Sequence, residues 1–195
     1  MRGLATRLRE RGIEPLVSRE PGSTPAGDRL RDVLLDAHAH LDPMTELFVV
    51  CAARSEHVAR VIGPAIDAGR IVLCDRFGDA TVAYQGYGRG LDLGVVRFCS
   101  DLAARGLQPD LTLLVDVSVD VSQRRIRERA TAGEASDRLD NENASFYRRV
   151  RGGYHTIASE DPARVRVLDG TLPPQALLEA AWSHIAALAK VDSAG

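Results

Sequence analysis

Three apolar, β-prone runs in this chain meet an aspartate, and helical patterns separate them. Ile71-Val72-Leu73-Cys74 stops at Asp75, Leu111 to Val117 takes in Asp116, and Val165 to Leu168 stops at Asp169. Apolar strands alternating with amphipathic helices predict an α/β domain whose parallel sheet is covered by helices on both faces. In such sheets ligands collect outside the carboxyl ends of the strands, which makes a charged strand end a candidate site. The first run is the richest, because Arg76 follows Asp75 and a stretch carrying Gly78, Gly86, Gly88 and Gly90 follows both. That stretch reads as a glycine loop. A carboxylate at a strand tip can hold a metal-bound water, and a guanidinium offers a planar fork of donors to phosphate oxygens. An Asp–Arg pair that only closes a strand end remains the alternative.

The remaining elements follow from caps and periodicity. Leu4 and Leu8 before Gly12 predict a surface helix, in a segment arginine-rich enough to mimic a transit peptide. Pro15 predicts that the next strand begins after it or lies at an edge. Thr24-Pro25 and Asp42-Pro43 are helix starts, with a capping side chain followed by proline in the first turn. The second of these helices runs from Met44 to about Ile62 and is expected to end around Gly63-Pro64, with a short helical turn from there to Gly69. Asp92 caps a helix that Gly106 stops, further helices start near Val119 and Ala144, and Pro174 opens the last one.

The 195 residues fit one domain, residues 1–195, with 45% apolar and 27% charged residues and a net charge of −2. That balance excludes disorder and offers nucleic acid no global attraction, so any anion site is local. Cys51, Cys74 and Cys99 are odd in number and widely spaced, which points to neither a disulfide framework nor a zinc site and fits a reducing cytoplasm. No apolar run approaches a membrane span.

Between Arg124 and Arg151 stand eight arginines and five acids, broken by Thr131-Ala132-Gly133. Such a segment, about 124–143, suits a flap closing over polyphosphate; a solvated helix laced with i,i+4 ion pairs is the competing account. Arg54 sits in an otherwise apolar helical stretch and either stretches to solvent or reaches into a cleft. Thr81, Tyr84 and Gln85 bring hydroxyls and an amide suited to reading the edge of a planar base. Among the five histidines only the His38/His40 pair is closely spaced, and it lacks a third ligand. Cys74 reads as a strand residue rather than a nucleophile.

Taken in order, Arg19-Glu20-Pro21-Gly22, Ala52-Ala53-Arg54, Asp75-Arg76, Tyr84-Gln85-Gly86-Tyr87-Gly88-Arg89-Gly90, Pro109-Asp110-Leu111-Thr112 and Asp137-Arg138 resemble the bacterial thymidylate kinase family over nearly the whole chain. The resemblance implies a P-loop NTPase-like three-layer fold and ATP-dependent phosphorylation of dTMP to dTDP, with Mg2+, in a homodimer; composition and hydropathy add the expectation of a cytoplasmic protein that binds neither nucleic acid nor membrane. By the same resemblance Asp75 supports the metal through water and Arg76 clamps phosphate. Arg54, Thr81, Tyr84 and Gln85 hold the nucleoside, Arg31 meets the acceptor phosphate, and Glu20 lies in an acidic loop beside it. Arg138 and Arg129 belong to the flap, where they would meet ATP, Arg138 as a catalytic group.

Two departures accompany the resemblance. The family usually stacks an aromatic residue on the base four positions before the arginine matching Arg54, and here that position is Val50; Phe48 points about 200° around the helix from it. The second departure is that GxxxxGK[ST] does not occur. The family opens with a strand and this phosphate loop, about 13 to 20 residues. The expectation is therefore that the first, central strand is missing and that the sequence starts at an internal methionine of a longer protein. The readings kept beside the kinase are a non-catalytic nucleotide-binding relic without the ATP cradle and a kinase for another nucleotide or deoxynucleoside.

Overall fold

The computed structural model describes residues 1–133 and 136–189; Glu134 of the arginine-dense segment lies outside them. The chain runs α1 (Arg2–Arg9), β1 (Leu16–Arg19), α2 (Pro25–Leu35), α3 (Pro43–His57), α4 (Gly63–Asp67), β2 (Val72–Asp75), α5 (Gly78–Thr81), α6 (Leu93–Ala103), β3 (Thr112–Asp116), α7 (Val119–Thr131), α8 (Ala144–Glu160), β4 (Val165–Asp169) and α9 (Pro174–Ala189). The caps form as read. The Thr24 hydroxyl accepts from the Gly27 N–H, and the Asp92 carboxylate accepts from that of Val95.

The strands are parallel but form two separate pairs, β1 with β2 and β3 with β4. The register sets Arg19 beside Asp75 and Asp116 beside Asp169. Helices join the pairs. Leu47 and Cys51 of α3, Val96 of α6 and Phe146, Val150 and Ile157 of α8 form one core with Val82 and Ala83, and Val165 of β4 joins it. A second core packs Leu4 and Leu8 of α1 against Trp182, Ile185 and Ala186 of α9 and Leu168 of β4.

Two expectations fail, both through π-helical turns. The short helical turn towards Gly69 is present as α4, but the expected break at Gly63-Pro64 is not. Residues Val58–Ile62 widen into a π-turn in which the Gly63 N–H reaches back to the Val58 carbonyl, and α4 continues to Asp67. The wider turn takes up a proline that has no N–H for the ordinary ladder. Nor is the glycine stretch a loop: α5 runs into a π-helical segment, Val82–Gly88. Its glycines serve close packing. A Cβ on Gly86 would lie 2.6 Å from Leu93, and one on Gly88 2.8 Å from Phe146 and Val150. This segment therefore lies tight against α6 and α8, which fixes where Tyr84 and Gln85 can point.

Candidate active site

Of the three strand-end acids, two are occupied structurally. The Arg151 guanidinium donates to both oxygens of Asp116 at 2.8 and 2.7 Å, with His155 Nε2 3.2 Å away. Asp169 accepts from the backbone and hydroxyl of Thr171. Asp75 is different. It is exposed, and its carbonyl accepts from the Glu20 N–H at 2.8 Å, which ties the Arg19 to Ser23 loop to the tip of β2. Arg76 follows with φ of +67°, a left-handed conformation uncommon for a side-chain-bearing residue, and its guanidinium lies 4.9 Å from the centre of the Tyr84 ring. Such backbone strain persists where the surroundings hold the residue in place, and it clusters at functional sites.

Beside this tip opens a cavity of about 120 Å³. It is walled by Glu20 and Arg31, by Val50 and Arg54 of α3, by Arg76, Phe77, Thr81, Tyr84 and Gln85, and by Asp137, Leu139, Asp140 and Tyr147 from the far side. Seven of the sequence-derived candidates thus converge: Glu20, Arg31, Arg54, Arg76, Thr81, Tyr84 and Gln85. Asp75 stands one residue from the wall. A larger cavity of about 370 Å³ is lined by Arg97, Glu160, Arg164, Asp79 and Asp161. There Arg164 bonds Asp79 and Asp161, and Arg97 bonds Glu160, so both of its cations are already paired and the lining, with Asp101, keeps an excess of acids.

Arg54 does not stretch to solvent. Only 1% exposed, it donates from Nε to Glu20 Oε2 at 2.8 Å, from one terminal nitrogen to Ser100 Oγ at 2.9 Å and from the other to Thr81 Oγ1 at 2.8 Å. The Phe77 ring lies 5.0 Å from its guanidinium carbon. A guanidinium has five N–H groups, so this cage leaves two for a ligand. Glu20 is held from its other oxygen by His57 Nδ1 at 3.0 Å. Arg31 donates to the Pro21 carbonyl. Burial, with Arg19 and Arg76 close by, pulls its pKa below the ordinary arginine value, the mark of a cation crowded by cations. Three arginines at one mouth make a local anion site on a chain whose net charge is negative.

The flap candidates lie elsewhere. Arg129 is exposed and donates to Asp140 at 3.1 Å. The Arg138 guanidinium turns inward, 2.7 Å from Glu46 and bonded to the Leu34 carbonyl. On α7 the Arg124–Glu128 pair at i,i+4 matches the solvated-helix account for that part. Burial pushes the Cys74 thiol up to about 12, which agrees with an inert strand cysteine.

Sequence reading missed Glu46, His57 and Ser100. Glu46, Val50, Arg54 and His57 recur at four, four and three residues along α3 and are all buried. Charged side chains at the spacing of an apolar stripe were the available signal.

The chain matches the family model for thymidylate kinase over residues 1–181. It is 49% identical to a thymidylate kinase of Thermomicrobium roseum, covering 96% of this chain and 87% of that one. It is 43% identical to a thymidylate kinase of Trichlorobacter lovleyi, covering 94% and 90% respectively. The crystal structure of thymidylate kinase from Ehrlichia chaffeensis superimposes with a TM-score of 0.66 at 33% identity, covering 85% of this chain and 81% of that one. A family match over residues 1–181, with relatives 49% and 43% identical over nearly the full length, means that this chain belongs to the thymidylate kinase family.

Proposed function

We propose that this protein transfers the γ-phosphoryl group of ATP to dTMP, and that the cavity beside β2 is the acceptor site. The observation that carries this reading is the caged Arg54, which leaves two donors beside Gln85 and Thr81 at one end while Arg31 and Arg76 stand at the other. The base end offers Arg54, already charge-paired with Glu20, together with the neutral Thr81 and Gln85 and rings, and the mouth offers cations unpaired among the described residues, as a nucleoside monophosphate requires. Arg31 and Arg76 bind and orient the acceptor phosphate, which lowers the barrier by positioning and charge stabilisation rather than through a covalent intermediate. Tyr84, under the Arg76 guanidinium, holds that arginine over the pocket.

Magnesium fits this site through water and substrate phosphates. No group of three histidine, cysteine or acidic side chains converges among the described residues, and Mg2+ is commonly held by one or two carboxylates plus phosphates. Asp75 is the residue that would hold it, and the bound ion would neutralise charge on the transferring group. Arg129 and Arg138 sit in the segment we assign as a flap over the donor. Phe48 on α3 and Val95, Phe98 and Leu102 on α6 are exposed apolar side chains on two helices that pack together. A second copy of this chain covering that face would give a homodimer. No described helix is long and apolar enough to cross a membrane, and the three cysteines are free; we place the protein in the cytoplasm.

Val50 supports a second reading, in which another deoxynucleotide is accepted, since a valine stacks on a base less extensively than an aromatic ring. Calorimetric titration with dTMP, dUMP and dCMP, and separately with ATP, tests both. Saturable dTMP binding, weakened at least tenfold in Arg54→Ala, is expected. A protein that binds ATP but no dTMP would overturn the assignment, and binding of dTMP without ATP would favour an acceptor-only relic. In turnover assays Asp75→Ala and Arg76→Ala should each lower the rate by about 10² or more.

A further inference from the structure

Glu46 is a fully buried carboxylate that touches no part of the cavity, yet it bonds a residue that lines it. Its Oε1 accepts from Gln85 Nε2 at 2.7 Å and from Arg89 Nε at 3.1 Å. Its Oε2 accepts from Arg89 at 3.1 and 2.9 Å and lies 2.7 Å from Arg138. These donors outweigh the effect of burial, which alone would raise its pKa, and hold it below the ordinary glutamate value. Glu46 is therefore an acceptor and nothing else.

An acceptor-only neighbour removes the ambiguity of a glutamine amide. Gln85 must turn its NH2 toward Glu46, since the opposite orientation would press two oxygens together. Its Oε1 carries no hydrogen bond among the described residues and is left to the cavity that Gln85 lines. The base edge thus meets an acceptor at position 85, next to the two remaining donors of Arg54. A pyrimidine imide, with N–H at N3 beside C4=O, complements that pair. A cytosine edge, with a lone pair at N3 and NH2 at C4, places acceptor against acceptor and donor against donor.

We propose that Glu46 is a specificity-determining positioning residue: by fixing the Gln85 amide it makes the pocket select imide bases over amino-pyrimidines. The proposal rests on the acceptor-site assignment above. Glutamine at 46 can either accept or donate, which frees the Gln85 amide to turn its NH2 to the base.

The test is equilibrium binding of dTMP and dCMP to the unaltered protein, to Glu46→Gln and to the double variant Glu46→Gln/Gln85→Glu, by calorimetry. In Glu46→Gln the preference for dTMP over dCMP is expected to fall roughly tenfold or more, the scale on which sites built around hydrogen bonds discriminate. In the double variant the amide at 46 donates to a carboxylate at 85, an acceptor again faces the base, and the preference should return. If Glu46 only supports the fold, both affinities fall together in Glu46→Gln and the ratio stays, which overturns the proposal. The double variant decides alone should the single one not fold, because a pocket read through the Gln85 NH2 would lose its preference there. Absence of dTMP binding by the unaltered protein would strike the acceptor-site assignment itself, a result distinct from an unchanged ratio.

Discussion

Two buried carboxylates, Glu20 in the cavity wall and Glu46 behind it on α3, are held in opposite ways. Glu20 is gripped by Arg54 and His57, both from α3 and both almost fully buried. Its circle closes inside the core, with His57 Nε2 left without a partner among the described residues. Glu46, also on α3, reaches outward to Gln85, to Arg89 and through Arg89 to Glu142, and to Arg138. The first carboxylate fixes the Arg54 guanidinium in the cavity wall. The second joins the π-helical segment that carries Gln85 to residues just before α8. A buried charge needs several donors wherever it lies, but the elements that supply those donors decide whether it acts as an anchor or as a coupling.

The sharpest way to break this contrast is Arg54→Met. It leaves Glu20 in the core with only His57 beside it, and losing one partner of a buried pair costs about 3–5 kcal/mol. Urea denaturation should show that loss together with loss of dTMP binding. His57→Leu removes one partner from Glu20 and leaves Arg54 in place; about 1–3 kcal/mol is expected, with a smaller loss of dTMP affinity. If His57→Leu were as damaging as Arg54→Met, the anchor would be the whole triad rather than the arginine.

Acid stability separates the second carboxylate from the first. The folded pKa of Glu46 lies below its ordinary 4.5, held there against burial by Arg89, Gln85 and Arg138. Its contribution is therefore complete above about pH 4.5 and is lost as the pH falls through the lower folded value. Thermal melts between about pH 5 and about pH 3 should fall more steeply in the unaltered protein than in Glu46→Gln. The smallest effect belongs to the surface: Arg124→Ala removes an exposed i,i+4 pair at 3.7 Å and should shift stability by less than about 0.5 kcal/mol.

Much of the candidate site was legible in the sequence because its residues sit where local rules speak. Asp75 and Arg76 end an apolar strand, Thr24 and Asp92 cap helices, and Thr81, Tyr84 and Gln85 stand together on one short segment. Glu46 and His57 were not legible, because a charged residue on a helix reads as solvated until a partner far along the chain is found. Their partners lie 39 and 37 residues away. The glycine stretch misled for a related reason. Gly86 and Gly88 serve close helix packing against Leu93, Phe146 and Val150, and sequence alone does not tell that use from a turn.

What the chain's order of residues determined is the alternation of strands and helices, the family and the set of groups able to grip a nucleotide, since each depends on neighbours within a few positions. What only the folded arrangement decided is how those groups face. Arg54 is caged rather than free, Arg138 turns toward Glu46 rather than toward the pocket, and the Gln85 amide has one orientation. Each of these depends on a hydrogen-bond partner brought in from a distant element, and burial makes a missing partner costly enough to leave one arrangement standing.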